Sequence, residues 1–292
     1  MSFRGLGTAL VTPFRADGSL DEKGLERFVD FQIDGGVNFL VPCGTTGENP
    51  TLTTEEHRRV IEIVVRRSNG RVPVLAGAGS NSTVKAIELA ATAIDLGADG
   101  ILTITPFYNK PNPDGLRRHF GAQAEAAEKL RAGFPMVMYN VPGRTGVNMS
   151  AETTVQIAKE IPNVIGVKEA SGIMEQILQI LRDRPPGFLV LSGDDAWTLP
   201  LLGAGADGLI SVASNEVPSL MRRLVDERSI EILNRLLPLL LGNFIESNPV
   251  PVKAALKMMG ILQSDTVRSP LAPIGDANRM KLEAILRECE LL

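Results

Sequence analysis

The stretch Val164-Ile165-Gly166-Val167-Lys168-Glu169-Ala170-Ser171-Gly172 begins as an unbroken apolar run and ends in a polar turn closed by glycine. Four apolar residues without polar alternation mark a strand buried on both faces, as in a parallel sheet. Upstream, Ser150 can cap a segment in which Ile157, Ala158 and Ile161 recur at helical spacing. Helix, buried strand and polar loop therefore follow one another, and the same unit repeats along the chain. Further apolar runs occupy 7–11, 38–41, 73–76, 100–104, 135–140, 188–191 and 208–212, making eight, with amphipathic segments such as Leu25, Phe28, Val29, Gln32 and Ile33 between them. Their ends lie 21 to 36 residues apart, close to the ~30 residues of a strand-helix-strand unit. The chain is predicted to be α/β, folded as a (β/α)8 TIM barrel, with an open doubly wound sheet as the competing architecture.

The loops favour the barrel. Small and polar residues cluster after the strands, at 44–48, 105–109, 141–146, 169–172 and 192–195, and a barrel gathers such loops at one mouth. A doubly wound dinucleotide site would instead need G-x-G-x-x-G after the first strand. Gly77-Ala78-Gly79 follows the third strand and has Ser82 where the last glycine belongs. From about Val225 the strand signal stops, and leucine-rich helical pattern fills 230–241, 251–259 and 278–291. The expected organisation is a barrel carrying the active site over 1–224 and an all-helical C-terminal region over 225–292.

Composition excludes several classes of function. The 292 residues are 44% hydrophobic and 22% charged, an ordinary globular balance, and 34 acidic against 30 basic residues leave no basic footprint for nucleic acid. The two cysteines, Cys43 and Cys289, cannot build a disulfide framework and fit a cytoplasmic location. The longest apolar stretch, around 236–245, is interrupted by Pro238, Gly242 and Asn243 and falls short of the ~20 residues of a membrane helix. The run at 6–11 lacks a leader's small-residue cleavage pattern and reads as a strand.

Few residues are placed for chemistry. Lys168 is one of only nine lysines and ends an apolar strand at the predicted mouth. There, desolvation lowers its pKa and leaves a neutral amine able to attack a carbonyl. The competing readings are an ion pair with Glu169 and a snorkelling side chain. The only tyrosines, Tyr108 and Tyr139, each lie at the C-terminal end of a predicted strand beside a polar loop. A phenol hydrogen-bonded to a threonine can move protons during imine formation without adding charge. Gly44-Thr45-Thr46-Gly47 offers hydroxyls and backbone N–H groups suited to a carboxylate, and Arg144 could clamp a second one, although a loop arginine is often simply solvated. Asp194 and Asp195 are expected to cap the helix near Trp197. The histidines, His57 and His119, form no metal-ligand set, which disfavours a metal-dependent aldolase.

Taken together, GTTGE at 44–48, TPFYN at 105–109, YNVPGRTG at 139–146, GVKEASG at 166–172, LSGDD at 191–195 and NPVPVK at 248–253 closely resemble the dihydrodipicolinate synthase family of pyruvate-dependent class I aldolases, over essentially the whole chain. The resemblance implies that Lys168 forms the Schiff base, with Tyr139, Thr45 and Tyr108 as the proton relay. Thr46 would hold the pyruvate carboxylate, Gly193 and Ile210 would line the pocket, and Arg144 would receive the carboxylate of L-aspartate-4-semialdehyde. It further implies no cofactor, no metal, and a homotetramer built from tight dimers in which Tyr108 enters the neighbouring site. Members inhibited by lysine place a histidine, a glutamate and a tyrosine where this chain has Thr54, Lys85 and Phe107, while His57 and Asn81 match; feedback by lysine is therefore expected to be weak or absent. The alternatives are another aldolase of this class acting on a sugar-acid aldehyde, disfavoured by the 142–146 loop, and a non-catalytic metabolite-binding homologue.

Overall fold

A computed structural model describes residues 3–292. Its eight strands are β1 Gly5–Ala9, β2 Phe39–Val41, β3 Leu75–Gly77, β4 Gly100–Ile104, β5 Met136–Asn140, β6 Val164–Glu169, β7 Leu189–Ser192 and β8 Gly208–Ser211. All pair in parallel, in the order β2-β1-β8-β7-β6-β5-β4-β3. The two ends of that order meet through a parallel bridge between Leu40 and Val74. Leu40 N–H donates to the Pro73 carbonyl at 3.0 Å and Gly77 N–H to the Pro42 carbonyl at 2.9 Å, so the ring closes as a (β/α)8 barrel. The open-sheet alternative falls with that closure.

The helices are α1 Glu22–Asp34, α2 Thr54–Ser68, α3 Thr83–Asp95, α4 Pro113–Leu130, α5 Pro142–Thr145, α6 Ala151–Glu160, α7 Met174–Asp183, α8 Thr198–Gly203, α9 Pro218–Glu227, α10 Ile230–Gly242, α11 Val250–Met258 and α12 Asp276–Glu288. Local sequence sets many of their starts. Asp21, Ser82, Asn112, Ser150 and Ser229 each accept a first-turn N–H, and Thr53 with Glu56 forms a reciprocal capping box. Pro238, expected to interrupt the apolar stretch, lies inside α10. Burial of Leu236, Leu239 and Leu240 around it offsets the missing N–H. Among the described residues, no helix is long and apolar enough to cross a membrane.

Strand alternation creates two apolar layers. Leu6, Leu40, Ala76, Ile101, Met138, Val167, Val190 and Leu209 face outward beneath the helices. Phe39, Val41, Leu75, Leu102, Val137, Tyr139, Leu191 and Ile210 fill the interior. Phe3 and Phe39, edge to face at 5.5 Å, occupy the space where strands begin. Inward-facing glycines make that space: a Cβ at Gly7 would fall 2.2 Å from the Phe39 ring, and one at Gly100 would fall 2.9 Å from Phe3. The barrel is thus plugged at the N-terminal ends of its strands, and its usable cavity lies at the C-terminal ends.

Candidate active site

Lys168 and Tyr139 are direct register partners on β6 and β5. Lys168 Nζ lies 4.3 Å from the Tyr139 ring centroid, and the two residues are 6% and 7% exposed. Burial lowers the Lys168 pKa to about 8; the negative charge of Asp195 opposes the shift and the Arg144 guanidinium adds to it. Burial also pushes the Tyr139 phenol up to about 12, with Arg144 and the hydroxyl of Thr45 pulling the other way. The site therefore holds a lysine with an accessible neutral form beside a phenol that keeps its proton.

Glu169 does not pair with Lys168. It sits on the opposite face of β6, where its carboxylate accepts from Ser171 N–H at 2.7 Å, from Asn140 Nδ2 at 3.0 and 3.3 Å, and from Gln176 Nε2 at 3.4 Å. Asn140 and Glu169 are themselves register partners one step beyond Tyr139 and Lys168. This outward network ties the ends of both strands together and so fixes the two inward side chains relative to each other.

A cavity of about 230 Å³ opens beside Tyr139, lined among others by Gly44, Thr45, Leu102, Ile104, Phe107, Arg144 and Thr145. Thr45 and Thr46 come from the turn after β2, which is closed by hydrogen bonds from Gly47 N–H to the Gly44 carbonyl and from Glu48 N–H to the Thr45 carbonyl, both 3.1 Å. Thr46 is buried, and its hydroxyl accepts from Asn248 Nδ2 at 3.0 Å, leaving its own hydrogen free to donate. Arg144 lies on α5, exposed at the rim, where Nη2 reaches the Asn248 carbonyl at 3.5 Å. Ile210 points inward from β8 in the same apolar cluster as Tyr139.

Gly193 makes room for the lysine. A Cβ there would stand 2.7 Å from Ala170 Cβ, 3.0 Å from Lys168 Cε and 3.2 Å from Lys168 Cγ. Gly193→Ala is expected to displace the lysine stem, costing about 1–3 kcal/mol of stability and at least tenfold in turnover. Thermal unfolding and steady-state rates check both, and a variant of wild-type activity would contradict this packing.

Tyr108 is 86% exposed, with left-handed backbone at φ 70°. The two aspartates divide their work. Asp194 Oδ1 accepts from the N–H groups of Ala196 and Trp197 leading into α8, as expected. Asp195 instead is buried and accepts from the Ser211 hydroxyl and from the N–H groups of Val212 and Ala213, binding the end of β7 to that of β8. Asn248, which braces Thr46 and Arg144, was not singled out from sequence; its only signal was its place in NPVPVK. Among the described residues, no group of three or more His, Cys, Asp or Glu side chains could hold a metal ion.

The model of the dihydrodipicolinate synthetase family matches residues 2–289. The 4-hydroxy-tetrahydrodipicolinate synthase of Koribacter versatilis is 48% identical over 300 residues, covering 100% of this chain and 98% of its own. That of Maridesulfovibrio salexigens is 48% identical over 299 residues and covers 100% of both. Among solved structures, dihydrodipicolinate synthase from Thermotoga maritima superimposes with TM-score 0.95 at 42% identity, covering 100% of both chains. The enzyme of Cyanidioschyzon merolae, solved with lysine bound, gives 0.95 at 39% identity and covers 99% of both.

Proposed function

The chain belongs to the dihydrodipicolinate synthetase family, and on that premise we propose that it condenses pyruvate with L-aspartate-4-semialdehyde to 4-hydroxy-tetrahydrodipicolinate, the reaction its relatives are named for. The observation that carries this reading is the buried Lys168–Tyr139 pair at the mouth of the barrel. Neutral Lys168 attacks the pyruvate carbonyl. Tyr139 gives a proton to the oxygen and, with Thr45, regains one from the new ammonium nitrogen; it then protonates the carbinolamine hydroxyl, which leaves as water, and the protonated imine remains. The protonated imine draws electrons from the methyl group, which loses a proton to give an enamine. The enamine attacks the aldehyde carbon, and attack of the substrate's own amine on the imine carbon closes the ring and frees Lys168. Neither a metal nor an organic cofactor enters this sequence.

Placement supports the binding roles. The Thr45–Thr46 turn receives the pyruvate carboxylate, and Arg144 at the rim receives that of the semialdehyde. Gly193 and Ile210 shape the wall between them. Tyr108, 86% exposed on one chain, is available to a neighbouring subunit. A tight dimer, paired again into a homotetramer in the cytoplasm, completes the relay with the partner's phenol.

Lysine feedback is expected to be weak. Thr54 at the start of α2 and Lys85 on α3 are both exposed, and Lys85 brings a cation toward a ligand that itself carries ammonium groups. Inhibition of the condensation by low-millimolar lysine would contradict this. The function itself is tested by coupling the product to its reductase and following nicotinamide oxidation. The reading predicts saturable turnover that needs both substrates; turnover only with a sugar-acid aldehyde would shift it to another aldolase of this class.

A further inference from the structure

The turn that carries Thr45 and Thr46 ends in a residue poorly suited to its conformation. Glu48 has φ 54°, in the left-handed region that costs most side chains free energy and that persists only where surroundings hold it. Its side chain is nevertheless fully buried, as is that of Lys253 from α11. Lys253 Nζ donates to Glu48 Oε1 at 2.5 Å and to the Thr266 carbonyl at 2.7 Å. Glu48 Oε2 accepts from Arg268 N–H at 2.9 Å. Lys253 Nζ and Arg268 Cζ both lie 4.2 Å from the centroid of the buried Phe14 ring. Arg268 extends this brace to the Gly18 and Thr51 carbonyls and to the Glu56 carboxylate.

Neighbouring residues of the turn are held as well. Asn248 donates to the Thr46 hydroxyl at 3.0 Å, and the Thr12 hydroxyl donates to the Gly47 carbonyl at 2.7 Å. Segments remote in sequence thus fix three consecutive residues, 46, 47 and 48, and most of the bonds come from 248–268. Resting on the reading of Thr45 and Thr46 as the carboxylate turn, we propose that the buried Glu48–Lys253 pair positions that turn, so that the C-terminal helices set the affinity for pyruvate. A role in stability alone accounts poorly for the arrangement. Buried ion pairs contribute little beyond an apolar pair of the same volume, because desolvation offsets their attraction. An apolar pair, however, could not hold a left-handed non-glycine residue by directed bonds to both carboxylate oxygens.

Glu48 and Lys253 touch no substrate in this account; they are positioning residues, and the test reads the constants they should move. A Glu48→Gln/Lys253→Met double variant removes both charges and leaves no buried ion unpaired. Its KM for pyruvate is expected to rise about tenfold, with a smaller fall in kcat because Thr45 shares the turn, while the KM for the semialdehyde stays within about threefold. An unchanged pyruvate KM in the folded variant, or an equal loss in all three constants, overturns the proposal. If the double variant does not fold, Phe14→Leu carries the test, since it keeps both charges and replaces only the ring against which the two cations pack. An increase of about threefold confined to the pyruvate KM supports the positioning role, and an unmoved value overturns it. Borohydride trapping of pyruvate on the wild-type protein, run alongside, distinguishes failure of this inference from failure of the functional reading beneath it.

Discussion

Lys168→Ala is expected to abolish condensation, lowering turnover on the order of 10⁴-fold or more, because removal of the nucleophile removes every covalent intermediate. Burial is the reason this lysine is expected to react. With its pKa lowered to about 8 by burial, roughly one molecule in ten carries a neutral amine at pH 7, whereas an ordinary lysine is almost wholly protonated there. The sign of the pH dependence follows. The rate at which pyruvate is captured should climb as pH rises toward and through 8, then level off once the amine is neutral. Among the described residues no carboxylate forms an ion pair with Lys168, and the nearby buried Asp195 keeps its bonds from Ser211, Val212 and Ala213, so the variant is expected to fold. A Lys168→Ala protein that folds and still turns over would remove the Schiff-base mechanism.

The second large effect belongs to Tyr139→Phe, for which a loss of about 10²–10⁴ in kcat is expected, the usual span for a general acid and base. Burial pushes the phenol up to about 12, so it holds its proton throughout the neutral range. It can therefore donate to the carbinolamine oxygen, and it can accept again only in concert with Thr45. Phenylalanine preserves the ring that Lys168 packs against and removes only the hydroxyl, so thermal stability should change little. Single-turnover measurements separate the steps: imine formation should be slowed and pyruvate binding spared. A variant of normal kcat would show that another group moves the proton.

The barrel was legible in the sequence because a buried parallel sheet writes itself as repeated apolar runs, and the strand ends located Lys168 and Tyr139 at the same mouth. Boundaries moved by a residue or two, as at β1, where the run at 7–11 became Gly5–Ala9. The features that sequence did not reveal depend on contacts between distant segments. Glu48 and Lys253 are 205 residues apart, and nothing local in GTTGE or NPVPVK says that their charges meet. Asp194 and Asp195 are neighbours of one type, yet one faces a helix start and the other enters the space between β7 and β8. Pro238 resembles a helix breaker until the leucines around it are seen to be buried. Tyr108 is exposed because its setting is the surface of one chain, and no pattern within that chain specifies a partner.

Pyruvate is expected to become attached to Lys168. The protein would be treated with pyruvate and borohydride, digested, and its peptides sequenced by mass spectrometry. Lys253 serves as an internal control: its pKa is also lowered to about 8 by burial, but it is fully buried and bonded to Glu48. The account predicts a carboxyethyl adduct on Lys168, dependent on pyruvate, with Lys253 unmodified. An adduct on Lys253 or another lysine, or none on Lys168 while pyruvate is being consumed, would contradict it.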